Sequence, residues 1–162
     1  MEFLQQWLNT SVTGELVYTA LMSMVPIVEL RGGLPFGVAL GLTPIQAFLA
    51  SVVGNMIPVP FIILFIRRIF QWMRKHSRKL EGVVDWLERK AHLKGQTVTK
   101  YRYLGLFVLV AIPLPGTGAW TGALVAALLN MRIKKAVPSI LLGVLAAGVI
   151  VLCVTYGVTA LL

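Results

Sequence analysis

Negative charge is scarce in this chain: only 6 of 162 residues are Asp or Glu, and charged residues make up 13% of it. Soluble domains carry about 25% charged residues. A water-exposed surface of ordinary polarity is therefore excluded. Cysteine is scarcer still. Cys153 stands alone in an apolar run, so no intramolecular disulfide can form and the redox compartment stays open. No Lys or Arg precedes Arg31, so the start of the chain does not read as a cleaved signal peptide. Phosphate-cradling Lys loops, nucleophile elbows and paired acids inside an apolar block are all missing, which predicts a protein that is not an enzyme. His76 and His92 lack neighbouring ligands, and neither a metal nor any other cofactor is expected.

What the chain has is apolar length: 57% hydrophobic residues and a mean hydropathy of +0.83. Residues 16–42, 45–66, 104–130 and 136–162 form apolar blocks, and residues 67–103 form a polar, basic stretch between them. The first block is interrupted at Glu29-Leu30-Arg31-Gly32-Gly33-Leu34-Pro35 and the third at Pro113-Leu114-Pro115-Gly116-Thr117-Gly118. Each interrupted block precedes a continuous one, the first of these with a kink expected at Pro58 and Pro60. This repeats in pattern rather than in residue identity. Matched broken segments in two halves point to a transporter-like site.

A 27-residue broken block can cross once with a kink or enter halfway and return. Charge separates the two. Eleven of fifteen basic residues lie between Arg67 and Arg102, and Arg132, Lys134 and Lys135 form a second cluster. Four simple crossings would put the clusters on opposite sides, against the positive-inside tendency. Two re-entrant hairpins put both clusters on the cytoplasmic side, with both termini outside.

The pattern thus predicts an all-α, multi-pass protein of the inner (cytoplasmic) membrane, residues 1–162 forming one integral domain. It reads as two inverted repeats, about 14–66 and 104–162. Each is a re-entrant helical hairpin followed by a transmembrane helix, and the cytoplasmic linker 67–103 joins them. The hairpin tips are expected to meet near the midplane, with a homodimer helping to shield them. In the linker, Met73, Leu80, Val84, Leu87 and Ala91 recur at helical spacing among basic residues, with Trp72 and Trp86 suited to an interface. That predicts an amphipathic helix on an anionic leaflet rather than a nucleic-acid partner.

Glu29 and Arg31 are the ionisable acid and base within the apolar blocks, and charge there usually pairs, meets water or serves a function. Their direct pairing is expected to need backbone unwound at Gly32 and Gly33, with Pro35 in the first turn of the next half-helix. Arg31 and the half-helix N-terminus would then receive an anion. The second break offers Gly116, Gly118, the Thr117 hydroxyl and the Trp120 indole; Thr117 is expected to cap the following half-helix. Among polar residues on the spans, which include Gln46 and Ser51, Asn55 is the candidate retained.

The stretch 29–35 and the stretch Pro113-Leu114-Pro115-Gly116-Thr117-Gly118-Ala119-Trp120-Thr121-Gly122 resemble the two signatures of the small multidrug export protein family. More loosely, the double re-entrant plan is similar to the DedA superfamily, whose members are implicated in moving phosphate-bearing lipid carriers and scrambling lipids. The resemblance implies functional positions at Glu29, Arg31, Gly32, Pro35, Pro113, Pro115, Gly116 and Gly118. The second break here is uncharged, unlike the superfamily pattern. A secondary transporter or lipid translocator for an anionic substrate is expected, with Glu29 as a proton-coupling group. A proton-coupled exporter of organic cations and a non-transporting membrane-organising protein are the alternatives.

Overall fold

The computed structural model describes residues 12–76, 78, 81–86, 88, 89, 103–114 and 116–159, and no strand occurs among them. Seven helices are named here in chain order: α1 (Val12–Met24), α2 (Glu29–Ala39), α3 (Pro44–Met56), α4 (Pro58–His76), α5 (Tyr103–Ala111), α6 (Ala119–Leu128) and α7 (Ile133–Thr159). Pro44–Ile66 and Ile133–Gly157 are long and apolar enough to cross a bilayer. The first of these bends at Ile57, immediately before the Pro58 ring, where the kink is expected. The chain divides into two compact units, Met1–Ile57 with Val144–Leu162, and Pro58–Gly143.

In the first unit, α1 and α2 form a helical hairpin. Gly33 faces Ser23 and Gly37 faces Thr19, so advancing four residues on α2 retreats four on α1. The helices are antiparallel. Their approach is as close as glycine permits: a β-carbon on Gly33 would lie 1.9 Å from Ser23 Oγ. The Thr19 and Ser23 hydroxyls donate back to the Glu15 and Thr19 carbonyls, at 2.7 and 2.8 Å, which satisfies them in the interior. Helix α3 starts on a capping box. The Gln46 amide donates to Thr43 Oγ1 while Gln46 Oε1 accepts from the Thr43 amide, with Pro44 in the first turn. Gln46 is thereby committed to the helix end.

In the second unit, α5 and α7 run parallel, because Tyr103 meets Ser139 and Phe107 meets Gly143. Gly122 brings α6 against Leu106 and Val110 of α5. Helix α4 carries the first ten residues of the basic stretch as a direct continuation of the apolar helix, so Arg67–His76 do not form a separate surface helix. Arg74 pairs with Asp85 at 3.0 Å and Glu88 at 2.7 Å. Trp72 and Trp86 are exposed, whereas Leu80, Leu87, Ala91 and His92 lie outside the described residues.

One local plan occurs twice, 89 positions apart. Helices α2 and α6 both end in a Schellman motif. Gly41 and Asn130 are left-handed, at φ +100° and +56°, and the Leu42 and Met131 amides reach back to the Gly37 and Ala126 carbonyls. Two residues later α3 and α7 begin. Gly33 recurs as Gly122, buried Ala47 as buried Ala136, and Gly54 as Gly143, both glycines pressed against a neighbouring helix. Glu29 recurs as Gly118, both at positive φ.

Candidate functional site

The first break lies earlier than the sequence suggests. The turn is Val25-Pro26-Ile27-Val28, and α2 already begins at Glu29. Pro35 therefore sits at the seventh residue of α2 rather than in its first turn, and Gly32 and Gly33 are helical rather than unwound. Their role is space. A β-carbon at Gly32 would lie 2.5 Å from Val28 Cγ1, and one at Gly33 would strike Ser23.

Glu29 is 5% exposed and adopts φ +48°. That left-handed conformation is unusual for a non-glycine residue and costs about 1–3 kcal/mol where it is held. Gly118, at the same place in the second hairpin, meets its positive φ without a side chain. The strain at Glu29 thus keeps a carboxylate where glycine would be easier. Arg31, two residues on, is half-buried and interacts electrostatically with Glu29. An i,i+2 pair does not face itself along a regular helix, and the left-handed residue at the start of α2 changes that geometry locally. The Glu29 and Gly32 amides donate to the Val25 and Val28 carbonyls, both at 2.9 Å. Those two donors are committed to the turn and not to an anion.

Asn55 is 3% exposed, and among the described residues its Oδ1 has no hydrogen-bond partner; neither has Ser51 Oγ, one turn before it. Two unsatisfied buried oxygens on one face of α3 are costly, about 1–3 kcal/mol each. Sequence reasoning kept Asn55 and passed over Ser51. Only the packing of α3 reveals that Ser51 lacks the bond to a carbonyl that a helical serine commonly makes.

In the second unit the break runs from Ile112 to Gly118, where the sequence places it. Thr117 does not cap α6. Its hydroxyl donates to the Ile112 carbonyl at 2.8 Å and accepts from the Leu114 amide at 3.2 Å, closing the turn on itself. Gly118 is the residue before α6 and supplies no side-chain cap. Gly116 is left-handed at φ +76°, and its carbonyl accepts from Thr121 Oγ1 at 3.1 Å. Pro113 is exposed and Trp120 half-buried; Pro115 lies outside the described residues. The structure therefore groups Glu29, Arg31, Gly32, Gly33, Pro35 and Asn55 in the first unit, and Pro113, Gly116, Thr117, Gly118 and Trp120 in the second.

No curated protein and no solved structure matches this chain. Residues 29–150 match the family described as "Putative small multi-drug export protein", a span that starts on the strained Glu29, directly after the first turn, and covers the second break and most of both long helices. With most of its length inside that match, the chain belongs to the small multi-drug export protein family.

Proposed function

We propose that the chain is a secondary membrane transporter, not an enzyme, in which Glu29 carries a coupling proton and Arg31 meets an anionic or phosphate-bearing substrate. The family name supports transport in the direction of export. The observation that carries the reading is Glu29, held nearly buried in a left-handed conformation that glycine would adopt more cheaply. An acidic side chain kept nearly out of water in an apolar segment marks a functional group more often than a structural one. Exposure favours an anion over an organic cation. A proton can reach a side chain that is 5% exposed, whereas a drug-sized cation would have to approach beside the half-buried Arg31, whose positive charge repels it.

The same reading takes both hairpins as re-entrant. Helices α2 and α6, of 11 and 10 residues, extend about 17 and 15 Å, against a hydrocarbon core of about 30 Å. The plan repeated at 89 residues supports two repeats. Each unit also combines one hairpin with the first half of one long helix and the second half of the other, as inverted repeats would. The linker is then cytoplasmic against an anionic leaflet, the termini are outside, and a second copy lies beside the first.

Proteoliposomes test the reading, using a fluorescent phosphatidylglycerol and tetraphenylphosphonium as anionic and cationic probes. The anionic probe should move in wild type and stop in Arg31→Ala, and Glu29→Gln should abolish the effect of a pH gradient. Equal movement in wild type and Arg31→Ala would sink the assignment, and Glu29-dependent movement of the cation would replace it with cation export. Labelling of single cysteines at Thr43 and Lys134, with Cys153 replaced by Ala, should reach them from opposite sides of the membrane.

A further inference from the structure

The second unit contains a groove of about 570 Å³ along the parallel pair α5 and α7. Its long walls are apolar, built from Leu104 and Phe107 on one helix and Pro138 and Leu142 on the other. Leu104 is 61% and Leu142 57% exposed, so nothing among the described residues covers them. At one end stand two ammonium groups, Lys134 and Lys135, in the first turn of α7, where no acidic residue accompanies them. Lys135 Nζ lies 5.8 Å from the centre of the Tyr103 ring, which steadies the ammonium at the mouth of the groove. The remaining hydroxyl on this surface, Ser139 Oγ, donates to the Tyr103 carbonyl and locks α7 to α5.

We infer that this groove binds one anionic phospholipid, its phosphate on Lys134 and Lys135 and an acyl chain along Leu104, Phe107, Pro138 and Leu142. Three features select that occupant. The groove is charged at one end only, and from Lys134 to Leu142 it is about 12 Å long at the helical rise. An amphiphile has that distribution, whereas a free inorganic anion would use the lysines and leave the walls bare. The lysines also stand at the start of the apolar span Ile133–Gly157, the depth at which phospholipid headgroups lie. Finally, both charges are positive, so a zwitterionic lipid would bring a choline against them. This lipid is a resident of the α5–α7 surface and is independent of the transport assigned to Glu29 and Arg31.

Native mass spectrometry of the purified chain, equilibrated with equal amounts of phosphatidylglycerol and phosphatidylcholine, reads out the site. Wild type should retain one phosphatidylglycerol in preference to phosphatidylcholine. Lys134→Gln with Lys135→Gln should reduce that preference about thirtyfold, the equivalent of two lysines at ~1 kcal/mol each. Lys134→Arg with Lys135→Arg should preserve it, which shows that a loss reflects charge and not misfolding. Leu142→Asp should release the lipid with both lysines intact. Equal retention of the two lipids by wild type, or an undiminished preference in the double Gln variant, would overturn the inference. Displacement of the lipid by millimolar inorganic phosphate would reduce the site to the lysines alone and overturn its apolar half.

Discussion

Gly33 and Ser23 are in such close register that any side chain at Gly33 must displace the serine: a β-carbon there would lie 1.9 Å from Ser23 Oγ and 3.0 Å from Ser23 Cβ. The contact fixes the antiparallel pairing of α1 and α2, and through it the position of Glu29 one turn away on α2. Gly33→Ala should therefore destabilise the first hairpin by ~2 kcal/mol or more, within the range for overpacking of a tight core. Adding Ser23→Ala removes the worst overlap and should recover about half of the loss. Thermal unfolding of the detergent-solubilised single and double variants measures both.

Glu29→Gly should separate folding from function. Glycine adopts φ +48° without the cost borne by glutamate, so the variant should be at least as stable as wild type, by up to ~1 kcal/mol. Its pH-driven transport should be lost. A variant that unfolds instead would make the carboxylate a structural group, and the proton-coupling role would fail.

Ser51→Ala and Asn55→Leu remove buried oxygens that bond to nothing among the described residues. Both should alter stability by less than ~1 kcal/mol or raise it, in contrast to the usual loss on truncating a buried polar group. If either costs several kcal/mol, an internal water or ion bonds that oxygen in the folded protein.

The ion pairs of Arg74 with Asp85 and Glu88 are substantially exposed. Arg74→Ala should cost under ~1 kcal/mol, and that small effect should fade between low and high salt, since exposed pairs are screened. Chemical denaturation at two ionic strengths checks this.

The helical class and the break at 112–118 are legible in the sequence because Pro and Gly cluster there around the short polar side chain of Thr117. The first break is not. Val25-Pro26-Ile27-Val28 carries no polar turn residue, and Ile27 is 94% exposed; a turn that need not face water loses the composition that normally marks it. Gly32, Gly33 and Pro35 look like breakers instead, although the two glycines serve close contact and Pro35 is accommodated within α2. Glu29 and Arg31 stand out in any reading, as charges in an apolar setting. The left-handed backbone at Glu29 and the unsatisfied Ser51 depend on tertiary packing, which composition cannot report. The 89-residue recurrence is likewise carried by a few small or left-handed positions among side chains that mostly differ.

The paired Schellman turns at Gly41 and Asn130 also set a phase. Each allows only two residues between its left-handed position and the next helix, so the rotation of the long helix about its own axis is fixed by chain length. One inserted residue would turn α3 or α7 by about 100°. Ala47, Ser51 and Gly54, or Ala136, Ile140 and Gly143, would then leave the faces they pack on. The joints should tolerate many substitutions and almost no change in length.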